Sequence, residues 1–185
     1  PRNAFIDIER ELVYVTTDYE VAVFDFREES PGGPRHRSLF IERLTDDAGN
    51  DQVLGQGDCP VNQNPLFLNS MQLDSAGNLY VSDVVCSRVH KFTPSGFDEA
   101  GNFVAGEYVG WMGRCDGSNN QACENGHTKG FSCTAAAACT AVQSSGSEIG
   151  QFHRPAFLAM DPNDILYVAD YSNNRIQRFG TDGTF

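Results

Sequence analysis

The stretch GQFHRPAFLAMDPNDILYVADYSNNRIQRF, Gly150–Phe179, decides how the rest of the chain reads. Leu166-Tyr167-Val168 is a short apolar run of aromatic and β-branched residues, the composition that a pleated, half-buried surface takes up. Asp161-Pro162-Asn163-Asp164 precedes it and Tyr171-Ser172-Asn173-Asn174 follows it. Both are turn sequences, because Asn tolerates positive φ and Asp bonds its own turn backbone. The stretch therefore predicts strand, tight turn, strand, tight turn, strand.

Working outward, the chain repeats itself. LDSAGNLYVSDVVCSRVHKFTPSG, starting at Leu73, overlays the later stretch at one constant offset: Asp74 on Asp161, Tyr80 on Tyr167, Asp83 on Asp170, Arg88 on Arg175 and Phe92 on Phe179. AFIDIERELVYVTTDYEVAVFD, starting at Ala4, keeps the Ala-Phe opening and the Val-Tyr-Val core, with a shorter second turn and without the Asp and Arg. A fourth strand is expected after each trio, over Arg37 to Leu44 in the first copy and Phe103 to Met112 in the second. Phe185 marks where it would begin in the third. No segment has helical periodicity.

Composition narrows the partners. With 13 basic against 25 acidic residues the formal charge is −12, the opposite of what phosphate recognition requires, so a nucleic-acid partner is disfavoured. Membrane insertion is not expected, since no apolar run approaches the ~18 residues of a spanning helix. A chain opening Pro1-Arg2-Asn3, without Met, is expected to be a cut or partial form of something longer.

Gly150–Phe179 resembles an NHL repeat: the Gly-Gln-Phe opening, Pro155, the Asp-turn-Leu-Tyr-Val-Ala-Asp core and the Asn-Arg-Ile tail all match. The resemblance implies an all-β fold of propeller blades, each a four-stranded antiparallel sheet, most often six to a ring. About three blades are expected here: blade 1 over about 1–50, blade 2 over about 64–113, a Cys-rich insertion over about 114–149, and an incomplete blade 3 over about 150–185. A blade takes roughly 40–50 residues and a ring at least about four blades, so three cores imply a segment of a larger ring, a partial chain, or an open stack completed by another copy. The family pattern also casts Asp170 with Arg175, and Asp83 with Arg88, as hairpin clips, in which a five-residue separation across a tight turn lets carboxylate and guanidinium meet.

Six cysteines, Cys59, Cys86, Cys115, Cys123, Cys133 and Cys139, read as a disulfide framework. In a blade the second-to-third turn and the inter-blade link share a face, which pairs Cys59 with Cys86. Cys115 with Cys123 and Cys133 with Cys139 complete the expected set. Zinc is the poorer reading because these spacings lack a close pair. Disulfides imply an oxidising, extracellular setting, secreted or at the cell surface.

Catalytic chemistry is thin. His36, His90, His127 and His153 do not fall at equivalent positions, although amidating lyases of this fold hold a metal with several histidines. Calcium is the better metal question, with oxygen ligands offered by Thr45 to Asp51, Asp58, Asp116 and Asp161 to Asp164, none in EF-hand spacing. No resident cofactor is expected, and Trp111 reads as packing. The expected function is a binding or structural module, not an enzyme, using loops on a rigid scaffold to meet a protein, a glycan or another copy in an extracellular assembly. The alternative is a metal-dependent lyase or hydrolase.

Overall fold

A computed structural model describes residues 3–16, 21–27, 35–39, 43–45, 51–53, 68–114 and 145–185. Blade 1 is built from β1 (Asn3–Asp7), β2 (Leu12–Thr16), β3 (Val21–Asp25) and β4 (Arg35–Leu39), in that spatial order. A small hairpin follows, β5 (Arg43–Thr45) with β6 (Asp51–Val53). Blade 2 contains β7 (Leu68–Leu73), β8 (Leu79–Asp83) and β9 (Arg88–Phe92), then a second small hairpin, β10 (Gly96–Phe97) with β11 (Phe103–Val104), and closes with β12 (Tyr108–Gly113) beside β9. Blade 3 holds β13 (Pro155–Met160), β14 (Leu166–Asp170), a 3-10 turn at Tyr171–Asn173 and β15 (Arg175–Phe179). Every ladder is antiparallel, and no α-helix occurs among the described residues.

The first turns form as their sequences demand. Asp74 Oδ1 accepts the Asn78 N–H at 2.8 Å and its carbonyl accepts that of Gly77. Gly77 sits at φ +85°, open to glycine and costly for other residues. In blade 3 the Asp161 carboxylate takes the N–H groups of Asn163 and Ile165, while Asp164 carries the positive φ.

Strand β8 explains why the blades stack. All five of its residues are buried. Leu79 and Val81 point into one cluster, with Leu12, Tyr14, Val21 and Val23 of blade 1. Tyr80 points into another, with Phe152, Leu158, Leu166, Val168 and Phe179 of blade 3. A sheet covered on both faces loses the apolar/polar alternation of a half-exposed one, as propeller blades require. The fold class expected from the repeat is the one observed.

Two strand boundaries are corrected. The edge of blade 1 is Arg35–Leu39 and not Arg37 to Leu44, because its partner β3 is five residues long and its ladder ends at Val21 opposite Leu39. The edge of blade 2 starts at Tyr108 and not at Phe103. Phe92, opposite Tyr108, is the last residue of β9, so Phe103 and Val104 pair with Gly96 and Phe97 instead.

Those small hairpins show a motif that the repeat search missed. Asp98-Glu99-Ala100-Gly101-Asn102 reproduces Asp74-Ser75-Ala76-Gly77-Asn78 in sequence and in bonding: Asp98 Oδ1 accepts the Asn102 N–H at 2.8 Å, and Gly101 has φ +80°. The same pattern, Asp46-Asp47-Ala48-Gly49-Asn50, stands between the paired residues Thr45 and Asp51. Residues 46–50 themselves lie outside the described residues.

Candidate functional site: the face carrying the inter-blade links

The turn between second and third strands and the link into the next blade lie at the same end of the sheets. In blade 3 they are tied by the residues that the repeat singled out. Arg175 Nε donates to Asp170 Oδ2 at 2.8 Å. The same guanidinium donates to the carbonyls of Ser147, Glu148 and Gln151, at 2.7, 2.7 and 2.8 Å. Asp170, fully buried, also accepts the His153 N–H at 2.7 Å, and donors from Asn173 and Gln177. Gln177 grips the link from both ends of its amide, accepting from Gly150 N–H and donating to the Gln151 carbonyl. The pair is thus more than a hairpin clip, because the link is fastened to it. Charge-assisted bonds of this kind are among the stronger ones available to a loop.

On the platform so formed, three large apolar side chains stay in solvent: Val85, Ile149 and Tyr171, the last 70% exposed. Link and neighbouring turn are joined where Arg154, at φ +58°, donates its N–H to Ser87 Oγ at 3.3 Å.

Blade 2 uses the equivalent residues differently. Asp83 Oδ1 accepts the Cys86 N–H at 3.0 Å, and its Oδ2 lies 3.6 Å from His90 Nε2. His90 Nδ1 is 3.1 Å from the Tyr108 hydroxyl. Arg88 is buried with its guanidinium 4.4 Å above the ring of the buried Trp111. Burial pulls the Arg88 pKa down to about 10, against the raising influence of Tyr108 and Asp83, and burial likewise pushes Tyr108 up. His90 is 2% exposed, so this polar network lies inside the sheet stack, out of reach of a substrate.

The other sequence candidates scatter. His153 sits half-buried on the link, and His36 lies on β4 opposite Phe24. His127, Asp58, Asp116, Cys59, Cys115, Cys123, Cys133 and Cys139 lie outside the described residues, and with them the expected pairings. Cys86 is 3% exposed and is not a free thiol. Asp161 and Asp164 give their oxygens to turn N–H groups and to Ser75 across the blade boundary. Among the described residues, no group of three or more His, Cys, Asp or Glu side chains is placed to hold a metal ion. No helix there is long and apolar enough to cross a membrane.

Residues 152–179, running from the link through β15, match the family model for the NHL repeat. That segment is similar to an NHL repeat. A streptogramin B lyase structure is 15% identical, with a TM-score of 0.38, and the match covers 100% of this chain and 52% of that one. This chain therefore spans about half the length of that structure. No curated protein matches it.

Proposed function

We propose that this chain is a secreted or cell-surface binding module whose working surface is the link face, with a protein as its partner. The observation that carries the reading is the fastening of residues 147–153 by Arg175, Asp170 and Gln177, which leaves Ile149 and Tyr171 exposed. Rigid exposed aromatic and aliphatic anchors cost little ordering entropy when a partner arrives. The six cysteines support an oxidising location, and the acidic total favours basic partners.

The test is binding to a panel of immobilised extracellular-matrix proteins and glycans, comparing the unaltered chain with an Ile149→Ser, Tyr171→Ser variant. A panel member retained by the first and lost by the second supports the reading; equal retention by both overturns it. Metal analysis of the purified chain addresses the lyase alternative, which needs a stoichiometric transition metal.

A further inference from the structure

Among the described residues, five other than glycine have positive φ: Glu11, Ser87, Arg154, Asp164 and Asn174. Asp and Asn tolerate that conformation. Ser87 spends its hydroxyl inside the fold, accepting the Arg154 N–H at 3.3 Å. Glu11 stands in the first turn, between β1 and β2, at the end of the sheets opposite the link face. Arg154, at φ +58° and exposed, lies on the link face itself.

The backbone at this position suits a different residue. A Cβ crowds the following carbonyl in the left-handed region, so glycine or asparagine would sit there with less strain. Pro155 comes next, and proline steers the residue before it toward extended backbone. The conformation is imposed from both sides. The Arg154 N–H is bonded to blade 2 through Ser87, and its carbonyl accepts the Tyr171 N–H at 3.3 Å. Its neighbour His153 gives its N–H to Asp170 and takes that of Ser172 on its carbonyl. These bonds use main-chain atoms only, so they give no reason for an arginine. The reason lies in the side chain, and backbone strain of this kind collects at binding sites.

Other cations of the molecule are taken up within it. Arg10, Arg27 and Arg175 pair with Asp7, Asp25 and Asp170, and Arg114 donates to the Ser145 carbonyl. Lys91, together with Tyr80, donates to the Thr181 carbonyl, at 2.7 and 3.1 Å. The Arg154 guanidinium has no hydrogen bond, ion pair or ring contact among the described residues.

We infer that Arg154 is the specificity-determining contact of the link face, a rigidly mounted guanidinium that receives one Asp or Glu carboxylate of a protein partner while an apolar neighbour of that residue lies on Tyr171. This rests on the link-face reading and adds the chemistry that is recognised. A guanidinium presents a planar fork of N–H donors that matches a carboxylate. A mounting tied on both sides has little backbone freedom left to lose on binding. Tyr171, 70% exposed, is joined to Arg154 by the main-chain bond, so the acidic residue and its apolar neighbour are read together. The formal charge of −12 repels a polyanion such as a sulfated glycan, which leaves a single carboxylate on an otherwise neutral or basic protein surface.

The test selects random peptides displayed on phage against the immobilised 185-residue chain and against its Arg154→Gln and Arg154→Asn variants. Peptides enriched on the unaltered chain are expected to share an Asp or Glu beside an aromatic or aliphatic residue. As free peptides they should bind either variant about thirtyfold more weakly. Changing the peptide's acidic residue to its amide should weaken binding to the unaltered chain by a similar factor and to the variants little, the mark of direct pairing. No enrichment, enrichment without an acidic residue, or equal affinity for all three chains overturns the inference. A heparin fragment is the second probe, and Arg154-dependent retention of it overturns the inference in favour of a glycan. Because asparagine tolerates positive φ, Arg154→Asn is expected to melt no lower than the unaltered chain; a lowered midpoint makes the guanidinium part of the fold and overturns its role in binding. A matrix protein released by Ile149→Ser, Tyr171→Ser but retained by Arg154→Gln sinks this inference and leaves the link-face reading standing, whereas one retained by both variants sinks the two together.

Discussion

At the residue scale, the molecule depends on a few buried polar atoms. Asp170 takes donors from the link, from the neighbouring turn and from two side chains of blade 3. Asp170→Ala strands the Arg175 charge and should cost about 3–5 kcal/mol in urea denaturation, against less for Asp170→Asn, which keeps an acceptor. A second residue-scale prediction concerns alkali. Burial, with the Asp7 charge adding to it, pushes Tyr14 up to about 12, and burial also raises Tyr80 and Tyr108. A raised folded-state pKa stabilises below the ordinary tyrosine value of 10.0 and is lost as pH climbs through the folded one. Arg88 and Lys91, both lowered chiefly by burial, act in the opposite sense, since a lowered pKa makes the folded state bind fewer protons than the unfolded one. Three tyrosines against one arginine and one lysine give a net loss, so the denaturation midpoint should be flat near neutrality and fall above pH 10.0, less steeply in Tyr14→Phe. The Asp170–Arg175 contact was legible in sequence because a tight turn returns position five to position zero. The fate of Arg88 was not, because what covers it, Trp111 and Tyr108, arrives from β12, beyond the repeat.

At the element scale, the first turns fasten neighbouring blades. Arg10 bonds Asp7 within blade 1 and the Ala76 carbonyl in blade 2, both at 3.0 Å, and its guanidinium fills the space above Gly77. One blade further on, Ser75 donates to Asp164. Gly77→Ala would carry left-handed backbone strain of about 1–2 kcal/mol and push Arg10 aside, whereas Arg10→Ala should cost only about 1 kcal/mol, because the buried Asp7 carboxylate keeps its bond from the backbone N–H of residue 10. Thermal melts of the two variants check that order. These turns were readable from Asp, Gly and Asn alone. The edge strands were not, because an apolar pattern says which residues suit a strand but not where the partner's ladder ends. The Asp-x-Ala-Gly-Asn turn in the inserted hairpin escaped because it is shorter than the unit sought.

At the scale of the whole molecule, the two core clusters found among the described residues each sit between sheets, so stability belongs to the stack. Amide exchange should be slowest in β8, covered on both sides, and faster in β13 and β15 of blade 3; equal rates throughout would contradict a stack held between blades. Cys86 is not a free thiol, so reduction should lower the thermal midpoint by an amount worth about 2–4 kcal/mol at most, without dissolving the sheets, and far-UV dichroism before and after reduction checks it.

The grip of blade 2 on blade 3 has a consequence for how such a chain drifts over generations. Tyr80 and Lys91 hold an oxygen that every amino acid carries. Position 181 is thus free to wander through the alphabet while its two holders are not, and natural variants should be tolerated there far more readily than at Tyr80.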